Sequence, residues 1–161
     1  MDYNIRTAER EDMKHVLRLI HELAIYEKET NAVEVSLDDL EQDGFGKNPL
    51  FHCFVADMND SIVGMALVYP RYSTWKGPVI HLEDLIVTEK MRGSGLGTAL
   101  LDAVVKYGDG LGVKRISWEV LDWNEPAIGF YESKGANVMR DWDVVQLDEM
   151  AIKNYLKALE D

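Results

Sequence analysis

With 161 residues, 47% of them hydrophobic and 29% charged, the chain is long enough for one substantial core and reads as a globular domain. A formal net charge of -12 argues against a nucleic-acid partner, which needs clustered Lys and Arg, and either draws a cationic ligand or simply keeps the protein soluble. No apolar run approaches the roughly 18 residues of a membrane span, the first five residues lack the parts of a signal peptide, and the expected location is the cytoplasm.

In chain order, a short strand is predicted around Tyr3 to Arg6. Met13, Val16, Leu17, Ile20, Leu23 and Ala24 then recur at helical spacing, with Glu9, Glu11 and Asp12 where the dipole of a first turn favours acids. Ser36, with Asp39 three residues on, reads as the N-cap of a short helix that Gly44 to Gly46 ends. Phe51 to Ala56 and Ser61 to Tyr69 read as a hairpin turning at Met58 to Asp60, and the single cysteine, Cys53, is expected in its core. A loop is predicted from Pro70 to Gly77, a strand from Val79 to Val87, and a helix after Gly97 that stops at Gly108 to Gly110. Arg115 to Val120 reads as a strand, Pro126 to Lys134 as a short helix, Val144 to Leu147 as a strand, and Glu149 to Leu159 as the last helix. There is no repeat or linker. The expected fold is a single α/β domain over 1–161, a mixed α+β arrangement, since a hairpin precedes the helical crossover.

Between the strand ending at Val87 and the next helix lies Met91 to Leu100, MRGSGLGTAL, with three glycines in five positions. A strand, a glycine turn and a helix N-terminus together make an anion site, because free N–H groups and the positive dipole end converge there. Thr98 and Ala99 after Gly97 exclude the Gly-Lys-Ser/Thr ending of a P-loop. Thr98 also stands where a dinucleotide fingerprint has its third glycine, and too little chain follows for a doubly wound sheet. A turn without a ligand is the plain alternative.

The remaining pattern, Arg92-x-x-Gly95-x-Gly97, resembles the pyrophosphate turn of the GNAT family of N-acetyltransferases, with a strand just upstream and Asn124 to Tyr131 downstream. The resemblance extends through Leu23 to Glu27, Asp43 to Gly46, Phe51 to Cys53, Leu82 to Asp84, Trp123 to Pro126 and Phe130 to Ala136, which look like the diamine and polyamine acetyltransferases. Tyr72 to Gly77 and Val120 to Asn124 are more similar to the branch described as thialysine N-ε-acetyltransferases. It implies a GNAT fold, a central mixed, mostly antiparallel sheet flanked by helices, with acetyl-CoA as cosubstrate and a small-molecule amine as acceptor. It also implies a homodimer. By the same resemblance the backbone of Leu85, Ile86 and Val87 pairs with the pantetheine arm, and Arg92, Gly93, Ser94, Gly95, Leu96, Gly97 and Thr98 cradle the pyrophosphate. Asn124, Glu125, Pro126 and Ala127 lie near the coenzyme, and Tyr26, Glu27, Glu83, Trp75, Arg140 and Trp142 meet the acceptor.

Acetyl transfer needs a neutral amine, support for an oxyanion and a proton for the departing thiolate. Because an alkyl amine is an ammonium ion at neutral pH, a base is required. Glu83 is the candidate, acting through water, and Tyr131 matches the family's general acid. Strand alternation puts Glu83 and Asp84 on opposite faces, leaving Asp84 a structural acid. His15, His21, His52 and His81 form no metal-ligand set, no metal is expected, and each is read as structural. The chain departs from the polyamine enzymes at Ser73 and Arg140, where those have acids. Losing negative charge there suits a lysine-like acceptor whose carboxylate meets Arg140, although an Arg140 pointing to water fits the sequence equally well. A peptide or protein N-acetyltransferase and a non-catalytic acetyl-CoA-binding regulator are the alternatives.

Overall fold

A continuous apolar run, Ile62 to Val68, buried on both faces, and a two-residue turn build the centre of the sheet. His52–Met58 (β2) and Ser61–Ser73 (β3) pair antiparallel, joined at Asn59 and Asp60, whose φ angles of 52° and 61° are those of a type I′ hairpin turn. The computed structural model describes residues 2–160, which form two units divided between Glu119 and Val120. In the first unit Asn4–Thr7 (β1) pairs antiparallel with β2, and Gly77–Val87 (β4) pairs antiparallel with β3. Ile116–Ser117 (β5) runs parallel to β4, giving the order β1-β2-β3-β4-β5.

Met13–Tyr26 (α1) follows a 3-10 turn at Arg10–Asp12, and Leu37–Phe45 (α2) starts at the predicted capping box of Ser36 and Asp39. Their apolar stripes close one core: Met13, Val16, Leu19 and Leu40 pack with Cys53, Val55, Met65, Leu67 and Ile86 of the sheet. Burial pushes the Cys53 thiol up to about 12, so it is an inert core group. Leu96–Gly110 (α3) also packs on the sheet, with Tyr107 stacked on His52 at 4.6 Å. Arg6 ties β1 to this scaffold through Asp12 at 2.7 Å and Asp57 at 3.1 Å.

Two sequence expectations change here. The loop predicted from Pro70 is strand up to Ser73, so only residues 74–76 turn. β2 pairs with β3 no further than Val68, so among the described residues Pro70 sits where β3 has β4 as its sole neighbour, an edge that tolerates a missing N–H. The strand predicted over Arg115 to Val120 shrinks to Ile116–Ser117, for the reason given below.

In the second unit, Glu125–Ser133 (α4) has Asn124 as N-cap, Oδ1 accepting from the Ala127 N–H at 3.3 Å, and Pro126 in its first turn. Asp148 caps Glu149–Ala158 (α5) in the same way. The strand predicted at Val144 to Leu147 is absent among the described residues of this unit, which contain no other strand to supply a hydrogen-bonded ladder.

Candidate active site

The register of β4 creates the site. Leu67 pairs with Asp84 and Val68 with Leu82, so Glu83 is the extra residue of a β-bulge. A bulge bends its strand and strengthens its twist. β5 accordingly meets β4 only at Ile80 and His81, and among the described residues no strand lines the outer edge of β4 from Leu82 to Val87. Leu85, Ile86 and Val87 thus lie along an open strand edge, which offers N–H and C=O groups to an extended ligand.

That edge runs into the glycine turn. Thr88 is held by its N–H to the Val63 carbonyl at 2.8 Å, and Gly93 and Gly95 take φ angles of 76° and 89°. A Cβ at either glycine would meet nothing within 4 Å, so it is the positive φ and not crowding that calls for glycine at both positions. Gly95 is the N-cap of α3 and gives no side-chain cap, leaving the N–H groups of Leu96, Gly97 and Thr98 directed outward at the positive end of the helix. Ser94 is occupied otherwise, its hydroxyl donating to the Met91 carbonyl. This cradle fits a diphosphate. Arg92 is braced beside it: Nε donates to the Val87 carbonyl at 3.2 Å, the guanidinium lies 4.9 Å over the Tyr26 ring, and Nη2 is 4.0 Å from Glu22. Glu22 in turn accepts from Thr88 Oγ1 at 2.9 Å and from the Glu89 N–H at 2.8 Å. Sequence reading had passed over Glu22, although its position four residues before Tyr26 puts both on one face of α1.

Carboxylates gather at the head of the open edge. The expectation that Glu83 and Asp84 point to opposite faces fails because the bulge breaks the alternation. Asp84 is paired with Leu67 on the α1 side of the sheet, and Glu83 reaches Tyr69 and His81 on that same side. What separates them is burial. The Glu83 side chain is 54% exposed, whereas Asp84 is largely buried and its carboxyl is pushed up to about 6, by burial first and then by the charges of Glu83 and Glu27. Glu27, at the end of α1, is raised in the same direction by burial and by Glu29.

Around Glu83 stands a polar set to which the sequence assigns no joint role, three of its members in predicted strands and Arg71 in a predicted loop. Tyr69, paired with His81 across β3 and β4, lies beside Glu83, and burial together with that charge raises its hydroxyl. His81 Nε2 lies 3.7 Å from Glu83 Oε2, while Nδ1 faces Arg71 Nη1 at 3.3 Å and Ser117 Oγ at 3.2 Å. The missed signal was the period of two: Tyr69 and Arg71 on one strand, His81 and Glu83 on the next.

Trp75 crowns the β3–β4 turn and is 77% exposed. Ser73 shapes that turn, its Oγ accepting from the N–H groups of Trp75 and Lys76 at 3.2 and 3.1 Å. Within the second unit, Asn124, Glu125, Pro126 and Ala127 form the start of α4, Tyr131 stands one turn on with its ring 5.4 Å from Phe130, and Arg140 and Trp142 are exposed in the segment before α5. No group of three or more metal-ligating side chains occurs among the described residues.

A sheet opened beside β4 and continued by a glycine turn at a helix N-terminus is the layout of an acyltransferase that lays a coenzyme A donor along a strand edge. Residues 13–136 match the acetyltransferase (GNAT) family, to which the chain belongs, and it is an N-acetyltransferase. It is 40% identical over 140 residues to a thialysine N-epsilon-acetyltransferase of Bos taurus, covering 82% of each chain. To a human spermidine/spermine N(1)-acetyltransferase-like protein 1 it is 40% identical over 144 residues, which is 84% of this chain and 21% of that one. An Arabidopsis thaliana L-ornithine N5-acetyltransferase is 35% identical over 127 residues, 78% of this chain and 52% of that one. Among solved structures, an integron cassette protein from the mobile metagenome of V. cholerae superposes with a TM-score of 0.80 at 21% identity, covering 98% of this chain and 99% of the other. An aminoglycoside N-acetyltransferase in complex with CoA gives 0.73 at 18% identity, covering 90% and 94%.

Proposed function

We propose that this N-acetyltransferase acts on the terminal amine of a small basic amino acid resembling lysine or thialysine, or of a diamine or polyamine, with acetyl-CoA as donor. The observation that carries this is the open edge of β4, with the glycine cradle at its end and Glu83, Asp84 and Glu27 at its head. Acetyl-CoA supplies the activated acetyl group. The backbone of Leu85, Ile86 and Val87 holds the pantetheine arm, and the N–H groups from Gly93 to Thr98, with Arg92 beside them, hold the diphosphate. Asn124 to Ala127, at the start of α4, lie near the coenzyme.

Three nearby carboxylates make the acceptor cleft attractive to an ammonium ion. Glu83, the exposed one, takes a proton from it through water. The freed nitrogen lone pair forms the C–N bond as the thioester C–S bond breaks; Tyr131 gives its phenolic proton to the departing sulfur, and the second proton, shed by the newly acylated nitrogen, passes through water to restore the phenol. Tyr26, Glu27, Trp75 and Trp142 frame the acceptor, the aromatic rings suiting a cation. Arg140 meets its carboxylate when the acceptor is an amino acid. The protein acts as one domain and as a homodimer in the cytoplasm. Val144, Val145 and Leu147, all exposed in the single chain, are the apolar surface that supports dimerisation.

The test is thiol release from acetyl-CoA against putrescine, spermidine, lysine, thialysine, ornithine and a short peptide. Turnover on the amino acids above the polyamines supports the carboxylate reading. A spermidine preference moves the acceptor to the polyamines, a peptide preference to proteins, and bound acetyl-CoA without turnover on any acceptor refutes catalysis on these amines.

A further inference from the structure

His81 is buried, 5% exposed, in the centre of three strands, with Tyr69 opposite it on β3 and Ser117 opposite it on β5. A histidine there can be inert filling, but its two nitrogens are engaged asymmetrically. Nδ1 faces the Arg71 guanidinium at 3.3 Å. Arginine is cationic throughout the working pH range and has donors only, so Nδ1 must offer its lone pair. The proton of the neutral ring is therefore on Nε2, and Nε2 faces Glu83 Oε2 at 3.7 Å. That separation is just beyond hydrogen-bond length, and the broad terminal torsion of a glutamate closes it at little cost. A second proton on the ring would have to sit on Nδ1, against the guanidinium, inside a buried site. Burial and Arg71 accordingly hold the imidazole neutral, outweighing the opposing pull of Glu83 and Glu119.

We propose that Arg71 and His81 are a positioning pair for Glu83: the guanidinium fixes His81 as its Nε2–H tautomer, and that N–H aims the Glu83 carboxylate at the acceptor amine. This rests on Glu83 being the base. The charged and titratable groups facing His81 are Tyr69 and Arg71 from β3, Glu83 from its own strand, and Glu119 following β5, with the Ser117 hydroxyl beside Nδ1.

Nitrogen-15 NMR of histidine-labelled wild-type protein reads the tautomer directly and needs no variant. At neutral pH the pair requires a lone pair on Nδ1 and a proton on Nε2. The Nδ1–H tautomer or an imidazolium overturns it. Kinetically, His81→Phe keeps the ring volume and removes the donor, and His81→Gln returns an amide N–H near the Nε2 position. Losing one hydrogen bond to a charged group corresponds to about 10–100-fold. His81→Phe is expected to lower kcat/KM for the amine by that factor and to move its acid limb to higher pH, because a carboxylate deprived of a donor is more basic. KM for acetyl-CoA stays unchanged and His81→Gln recovers most of the loss. An unchanged acid limb in His81→Phe, or a folded His81→Gln as impaired as His81→Phe, overturns the pairing. Glu83→Gln separates the two readings: full activity there removes Glu83 as the base, whereas loss there with an unaffected His81→Phe removes only the positioning pair.

Discussion

Replacing Asp84 by Asn should make the protein more stable at neutral pH and not at acid pH. The folded chain holds the Asp84 carboxyl at about 6 against an ordinary value of 3.8, a difference of about two pH units. At 1.36 kcal/mol per unit, the ionised form disfavours folding by about 3 kcal/mol. The sign follows from where the protons sit. Below about pH 4 both states of the wild type are protonated at this position and nothing is lost. Between pH 4 and 6 the unfolded chain has released the proton while the folded one retains it, so wild-type stability falls as pH rises, levelling above the folded value. Asp84→Asn cannot ionise and lacks this slope. Urea denaturation of both proteins at intervals from pH 4 to 8 should show a gap that opens from nearly nothing to about 3 kcal/mol. The same substitution removes an anion from the acceptor cleft and should raise KM for the amine. A gap independent of pH, or widest in acid, would refute the assignment of a buried, charge-crowded carboxyl.

Gly95→Ala forces an L-residue into a φ of 89° at the N-cap of α3, with a strain of about 1–2 kcal/mol. It should weaken acetyl-CoA binding by about tenfold or more in titration calorimetry while the amine KM moves little. Arg6→Met strips a half-buried cation from Asp12 and Asp57 and should destabilise the fold by about 3 kcal/mol at pH 7. Arg6 holds the Asp12 carboxyl below its ordinary range, so this contribution is full above that range and is lost as pH falls from it through the lower value held in the folded protein, which acid-side denaturation curves will show. Tyr131→Phe should lower turnover by orders of magnitude with acetyl-CoA still bound, and undiminished turnover would exclude the phenol as the acid.

Local chemistry was legible wherever neighbouring residues decide it. Ser36 with Asp39, Asn59 with Asp60, and the glycines of residues 93–97 each state a backbone requirement within a few positions, and the structure meets them. What escaped depends on partners distant in sequence. Pro70 to Ser73 read as loop, yet Pro70, which lacks an N–H, is satisfied at an edge position. Val144 to Leu147 has the apolar, β-branched character of a strand but, among the described residues of its unit, no strand beside it. The faces of Glu83 and Asp84 could not be told without the pairing of Leu67 and Val68. The set of Tyr69, Arg71, His81 and Ser117 needed three strands in register before it became visible.

The bulge at Glu83 also bears on the counting of residues along β4. Every position after it is displaced by one step relative to those before it, so Ile80 and Leu82 belong to one phase and Asp84 and Ile86 to the other, although the parity of their numbers is the same. Deleting one residue between His81 and Asp84 would bring the strand back into phase, straighten it, and allow β5 to zip along the edge that now stands open. The open edge and the shared side of the two acids would then vanish together, since a single surplus residue underlies both.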